Sequence, residues 1–132
     1  VPAAIDQRAR ARRRTSDFTE YGAAARFAAV SAHVDASLAD RSLGARSIAE
    51  HFGWPAYEVR NLLVTYGGVA AFVRRRRLDA ALDLLAGDRH GQITLDDAAE
   101  ATGLGSRRTL ERAVRGFYGL SVREAQLLRA RP

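Results

Sequence analysis

Residues Thr94–Tyr118 read TLDDAAEATGLGSRRTLERAVRGFY, and the fold turns on how this stretch is parsed. Thr94 with Asp97 three residues on makes a variant of the capping box, which opens a short helix. Leu95, Ala98 and Ala99 form its buried side. Gly103 then permits a tight turn, because it adopts backbone conformations closed to other residues. Ser106 is placed to cap a second helix that buries Leu110, Ala113, Val114 and Phe117. Its exposed side carries Arg107, Arg108, Glu111, Arg112 and Arg115. Two helices joined in this way present the first turn of the second one outward.

The flanks extend the pattern. Gly119 ends the second helix, and Ser121 with Glu124 caps a last one that packs Val122, Ala125 and Leu128. Upstream, a helix from Val69 to Ala86 has Phe72, Val73, Leu78, Ala81, Leu82 and Leu85 on its apolar side. It carries Arg74, Arg75, Arg76 and Arg77 as a positive band. Arg77 is expected to brace two helical lobes through a carboxylate such as Asp79 or Asp83. At 1.5 Å per residue this helix is roughly 25 Å long. Before it, Phe27, Val30, Val34 and Leu38 mark a scaffold helix over Ala28–Ala39.

A shift of fifty residues lays the first half on the second. Leu43 falls on Ile93, Ile48 on Ala98, Ala49 on Ala99, Glu50 on Glu100, Gly53 on Gly103 and Trp54 on Leu104. The first copy predicts a helix over Ala45–Phe52 and a left-handed Gly53. A helix from Pro55, at its first position, then runs to about Tyr66. Trp54 reads as a core anchor at the turn. Gly67 and Gly68 stop the second helix. The expectation is an all-α chain with two helix-turn-helix subdomains joined by a central linker helix. The boundaries are 1–27 for a basic linker or arm with some helix, 28–68 for the first subdomain, 69–86 for the linker helix and 87–132 for the second.

Composition narrows the chemistry. The chain has 132 residues and a formal net charge of +6, and its 21 basic residues are all Arg. A GC-rich genome produces such a bias without functional meaning. A positive balance nonetheless favours a polyanionic partner, nucleic acid first among them. Five of these arginines lie in the first fifteen residues, which read as a solvated tail or as an arm touching phosphates. Ser16 is placed to cap a helix after it. There is no Cys, so thiolate zinc sites, disulfides and cysteine nucleophiles drop out. His33, His51 and His90 have no ligand spacing, and no metal or cofactor is expected. Asp96, Asp97 and Glu100 suit a helix N-terminus better than a catalytic carboxylate pair. No triad or phosphate loop is present, so an enzyme is not expected.

No apolar run reaches the ~20 residues of a membrane span, and no apolar segment resembles a secretory signal. A cytoplasmic protein is expected. The first residue is Val rather than an initiator Met, so the chain reads as a fragment or processed product of something longer, with any effector or dimerisation surface outside these residues.

Two stretches carry a resemblance. RLDAALDLL, Arg77–Leu85, is similar to R-L-x-x-A-x-x-L-L, and AAEATGLGSRRTLERAVRGFYGLS, Ala98–Ser121, resembles A-x-x-x-G-F-x-x-x-x-x-F/L-x-R-x-F-x-x-x-x-G-x-S. Together they resemble the DNA-binding domain of the AraC/XylS family of bacterial transcription regulators, over about residues 28–129. Pro55 stands where the family often has Ser, and Val122 where it usually has Pro. The resemblance implies sequence-specific binding to double-stranded DNA. It places Tyr57, Arg60 and Asn61 of the first half, and Arg107, Arg108, Thr109 and Arg112 of the second, at base edges. Their chemistry agrees: Arg donates twice to guanine, Asn pairs with adenine, and a Thr methyl meets thymine. Arg74, Arg75, Arg76, Ser106 and Arg115 are candidates for phosphate contacts, with Arg108 open to either role. Two recognition helices would enter successive major grooves ~34 Å apart, set by the linker helix. RNA polymerase is a further candidate partner. The competing reading is a helical adaptor whose arginines bind acidic proteins such as the transcription machinery.

Overall fold

The computed structural model describes residues 22–130, and every regular element among them is helical. The basic arm over residues 1–15 and the Ser16 cap lie outside the described residues. The helices are α1 (Ala23–Ala36), α2 (Ala45–Phe52), α3 (Ala56–Leu62), α4 (Val69–Ala86), α5 (Leu95–Ala101), α6 (Arg107–Tyr118) and α7 (Val122–Ala130). The chain divides into two compact units. The division falls between Phe72 and Val73, inside α4, and the short segment Ser37–Arg41 belongs to the second unit.

In the first unit α1 packs on α2 and α3, and α2 on α3. Val30, Val34, Ile48, Val59 and Leu63 are wholly buried. Helix α1 is shifted towards the N-terminus from the expected Ala28–Ala39: it begins at Ala23 and ends at Ala36. Helix α2 has the predicted bounds. Ser47 closes its first turn, the hydroxyl accepting from Gly44 N at 2.9 Å. Gly53 ends it at φ 72°, left-handed as anticipated. Pro55 is the N-cap, at φ −63° and ψ 140°, one residue earlier than its expected place. Helix α3 stops at Leu62 rather than near Tyr66. Val64–Tyr66 tighten into a 3-10 turn, where β-branched Val64 and Thr65 have weak helical preference. Tyr66 then stacks on Phe27, ring centroids 4.9 Å apart.

The second unit has one core. Leu78, Ala81, Leu82 and Leu85 make the apolar stripe of α4, spaced for a single helix face. Against it lie Ala98 and Ala99 of α5, Leu110, Ala113 and Val114 of α6, and Val122 and Ala125 of α7. The paired alanines let α5 approach closely, as their small volume requires for a tight helix crossing. Thr102, the buried polar residue, donates its hydroxyl to Ala98 O at 2.8 Å.

Three expectations in this unit are corrected. Phe117 is 37% exposed and Leu128 is 58% exposed. The buried side of α7 carries Val122 and Ala125, and the half-buried Arg129 reaches Asp79 at 3.0 Å and also pairs with Asp83. Arg77 takes neither of those carboxylates. Its Nε donates to Leu38 O at 2.9 Å and its Nη2 to Asp40 O at 2.7 Å. Partial burial lowers the Arg77 pKa from its ordinary value, with Asp40 acting in the opposite sense. So Arg77 secures the backbone of Ser37–Arg41.

The loop between α4 and α5 is held by one carboxylate. Asp88 Oδ2 accepts from Ile93 N at 2.6 Å, and this bond is the main cause that lowers its pKa below the usual aspartate value. A depressed carboxylate contributes stability that is complete above the ordinary aspartate range and fades as pH falls through the lowered value. In thermal melts, Asp88→Ala is expected to lose stability at neutral pH. It should also fall less steeply below about pH 4 than the parent chain. Parallel pH profiles for the two would refute this role.

Candidate nucleic-acid interface

The outer edge of α6 is built by four local devices. At the start of α5, Thr94 Oγ1 accepts from Asp97 N at 3.0 Å and Asp97 Oδ2 accepts from Thr94 N at 3.2 Å, the predicted reciprocal cap. The turn then uses two left-handed glycines, Gly103 at φ 83° and Gly105 at φ 92°. Ser106 caps α6, accepting from Thr109 N at 3.2 Å, and its hydroxyl also meets that of Thr109 at 3.0 Å. Finally Asp96 reaches from α5 to accept from Arg107 N at 2.8 Å. A carboxylate at that position satisfies a free donor of the first turn and complements the helix dipole. Asp96 thereby ties α5 to the first turn of α6.

With the apolar side of α6 buried, Arg107, Arg108, Thr109, Glu111, Arg112 and Arg115 are all exposed. Arg107 bonds Glu111 through Nε at 2.7 Å, which raises its pKa further above the ordinary arginine value. Arg115 Nη1 donates to Gly119 O at 3.2 Å, at the end of its own helix. Arg108 and Arg112 have no protein partner among the described residues. Between this face and the start of α7 runs an open groove of about 770 Å³. Arg107, Arg108, Arg112 and Arg115 line it together with Arg123 and Gln126. The last two carried no signal in the sequence beyond the place of Arg123, two residues past the Ser121 cap.

The corresponding face of the first unit is sparser. Tyr57, Arg60 and Asn61 are exposed on α3, with Tyr57 at 55%. That helix has seven residues against twelve in α6, and no side chain caps its N-terminus. On α4, Arg74 is exposed and Arg76 is half-buried. Arg75 is engaged within the protein. Its guanidinium pairs with Asp79 at 3.5 Å and lies 4.7 Å from the Tyr118 ring centroid and 5.4 Å from that of Phe117. Tyr118 completes the cluster by donating its hydroxyl to Asp79. Trp54 stacks on Phe52 at 4.4 Å. His33 and His51, distant in sequence, stack at 3.8 Å. Among the described residues no three His, Asp or Glu side chains are grouped to hold a metal ion, and no helix is long and apolar enough to cross a membrane.

The chain matches no protein-family model, no curated protein and no solved structure.

Proposed function

We propose that this chain binds double-stranded DNA sequence-specifically, as the DNA-binding part of a cytoplasmic bacterial transcription regulator. The observation that carries the reading is the outer edge of α6. Arg107, Arg108, Thr109 and Arg112 stand together on a helix whose first turn is fixed by Ser106 and Asp96. A helix is about 10–12 Å across with its side chains, and the major groove of B-DNA is about 12 Å wide. In this reading α6 enters that groove by its N-terminal half. Arg107, Arg108 and Arg112 donate to base edges, and the Thr109 methyl meets thymine. Arg115, further along the helix, contacts a phosphate, as do the backbone around Ser106 and the exposed Arg74. Helix α3, with Tyr57, Arg60 and Asn61, is the second reader, and the resemblance to the AraC/XylS pattern supports the pairing of two such elements.

The test is selection of binding sites from a random duplex pool at fixed salt. The expected result is a defined motif, bound at about 10⁻⁸–10⁻¹¹ M near physiological salt and weakened steeply as salt rises. Two separated blocks in the motif would report reading by both α3 and α6. Charge-driven binding without any motif would assign the face to non-specific nucleic-acid contact. No DNA affinity at physiological salt, with capture by an acidic protein such as a polymerase subunit, would assign it to an adaptor.

A further inference from the structure

We infer that Glu111 is a positioning residue for base specificity, holding Arg107 so that its terminal nitrogens face a guanine. The inference rests on the DNA-binding reading above. Arg107 Nε donates to Glu111 Oε1, one turn further along α6, at 2.7 Å. That bond occupies the inner nitrogen of the guanidinium. Nη1 and Nη2 keep their outward donors, with no protein partner among the described residues. These are the atoms that meet guanine O6 and N7 in a two-bond contact. The backbone of the same residue is held from the other side by Asp96. Arg107 is thus anchored at its N–H and at Nε, leaving few side-chain rotamers to lose on binding.

The surroundings give the carboxylate a second effect. Glu111 lines a groove with Arg107, Arg108, Arg112, Arg115 and Arg123, and it is the one acid among the lining residues. A negative charge there opposes any phosphate that enters in the wrong register. It therefore weakens sequence-independent contact while orienting Arg107 for the correct one, which is discrimination by penalty as well as by attraction. The pair is exposed, with side chains 62% and 46% accessible, so its removal should leave folding nearly unchanged. That separates a role in reading from a role in stability.

The experiment compares the parent chain with Glu111→Ala, Glu111→Gln and Arg107→Ala. Each is titrated with the selected duplex, its single-base variants and a random-sequence duplex at one salt concentration, with thermal melts alongside. Arg107→Ala should erase a guanine preference at one position. Glu111→Ala should reduce that preference about tenfold and bind the random duplex more tightly. Glu111→Gln, whose amide oxygen still accepts from Nε, should keep most of the preference. If Arg107→Ala erases the preference but Glu111→Ala leaves it intact, the positioning role is overturned and the DNA-binding reading stands. If the parent chain selects no motif, both fall together. If a motif is selected but Arg107→Ala changes no position in it, Arg107 is not a reader and the inference fails alone.

Discussion

Replacing Gly103 with Ala is expected to destabilise the second unit by on the order of 3 kcal/mol. The backbone at this turn sits at φ 83°, where a side chain costs about 1–2 kcal/mol through contact of Cβ with its own carbonyl. A Cβ there would also stand 2.1 Å from the Leu38 carbonyl oxygen and 2.7 Å from Arg77 Nε. Neither neighbour can move cheaply, because Arg77 is bonded to that same carbonyl at 2.9 Å. Forcing extra volume into packed structure costs about 1–3 kcal/mol more. In a unit of this size each kcal/mol moves the midpoint by roughly 4–8 °C. Thermal melts should therefore show a fall on the order of 10–20 °C. Gly91→Ala isolates the first contribution. Its φ is 63° and nothing lies within 4 Å of the added carbon. A fall for Gly91→Ala equal to that for Gly103→Ala would remove the close approach from the account.

Gly103 also shows where sequence reading succeeds and where it stops. That a glycine is needed at the turn was legible, since it lies between a capped helix and the next cap. The bounds of α2 and α4, and the caps at Thr94, Ser106 and Ser121, were legible for the same reason. Each depends on groups within three or four residues of one another, where helix geometry fixes who meets whom. The Leu38 carbonyl that a side chain at position 103 would strike comes from a remote segment, and no local pattern announces it. Arg77 illustrates the same limit. Asp79 and Asp83 were the expected partners, but two and six residues along the same helix they do not face Arg77, and Arg129 and Tyr118 reach them from other helices. Phe117 and Leu128 were read inward because apolar residues usually are. The Arg75 guanidinium lies over the exposed Phe117 ring instead, and Arg129 turns to Asp79 and Asp83. The exposed arginine edge of α6 was legible because burial of Leu110, Ala113 and Val114 forces those side chains outward. The fixing of Arg107 by Asp96 was not, since that bond spans the turn.

Arg112→Ala is expected to weaken binding to the selected duplex roughly 5–150-fold and to relax base preference at one position, the range given by one two-bond base contact. Arg112 is exposed and has no protein partner among the described residues, so the loss should appear without a change in melting temperature. Arg115→Ala should weaken all sequences alike and reduce the dependence of log affinity on log salt by about 0.9, the value of one phosphate contact. Arg75 gives the contrast. To reach a phosphate it would have to leave Asp79 and the faces of Tyr118 and Phe117. Its ring contacts and its half-exposed ion pair together contribute on the order of 1 kcal/mol to stability. Arg75→Ala should therefore lower the melting temperature by several degrees and leave affinity, base preference and salt slope as they were. The opposite outcome, a reduced salt slope with an unchanged melt, would return Arg75 to the phosphate-binding set and show that DNA draws it away from Asp79. These measurements separate three jobs that one Arg-rich composition cannot distinguish: reading a base, holding a phosphate and bracing the protein.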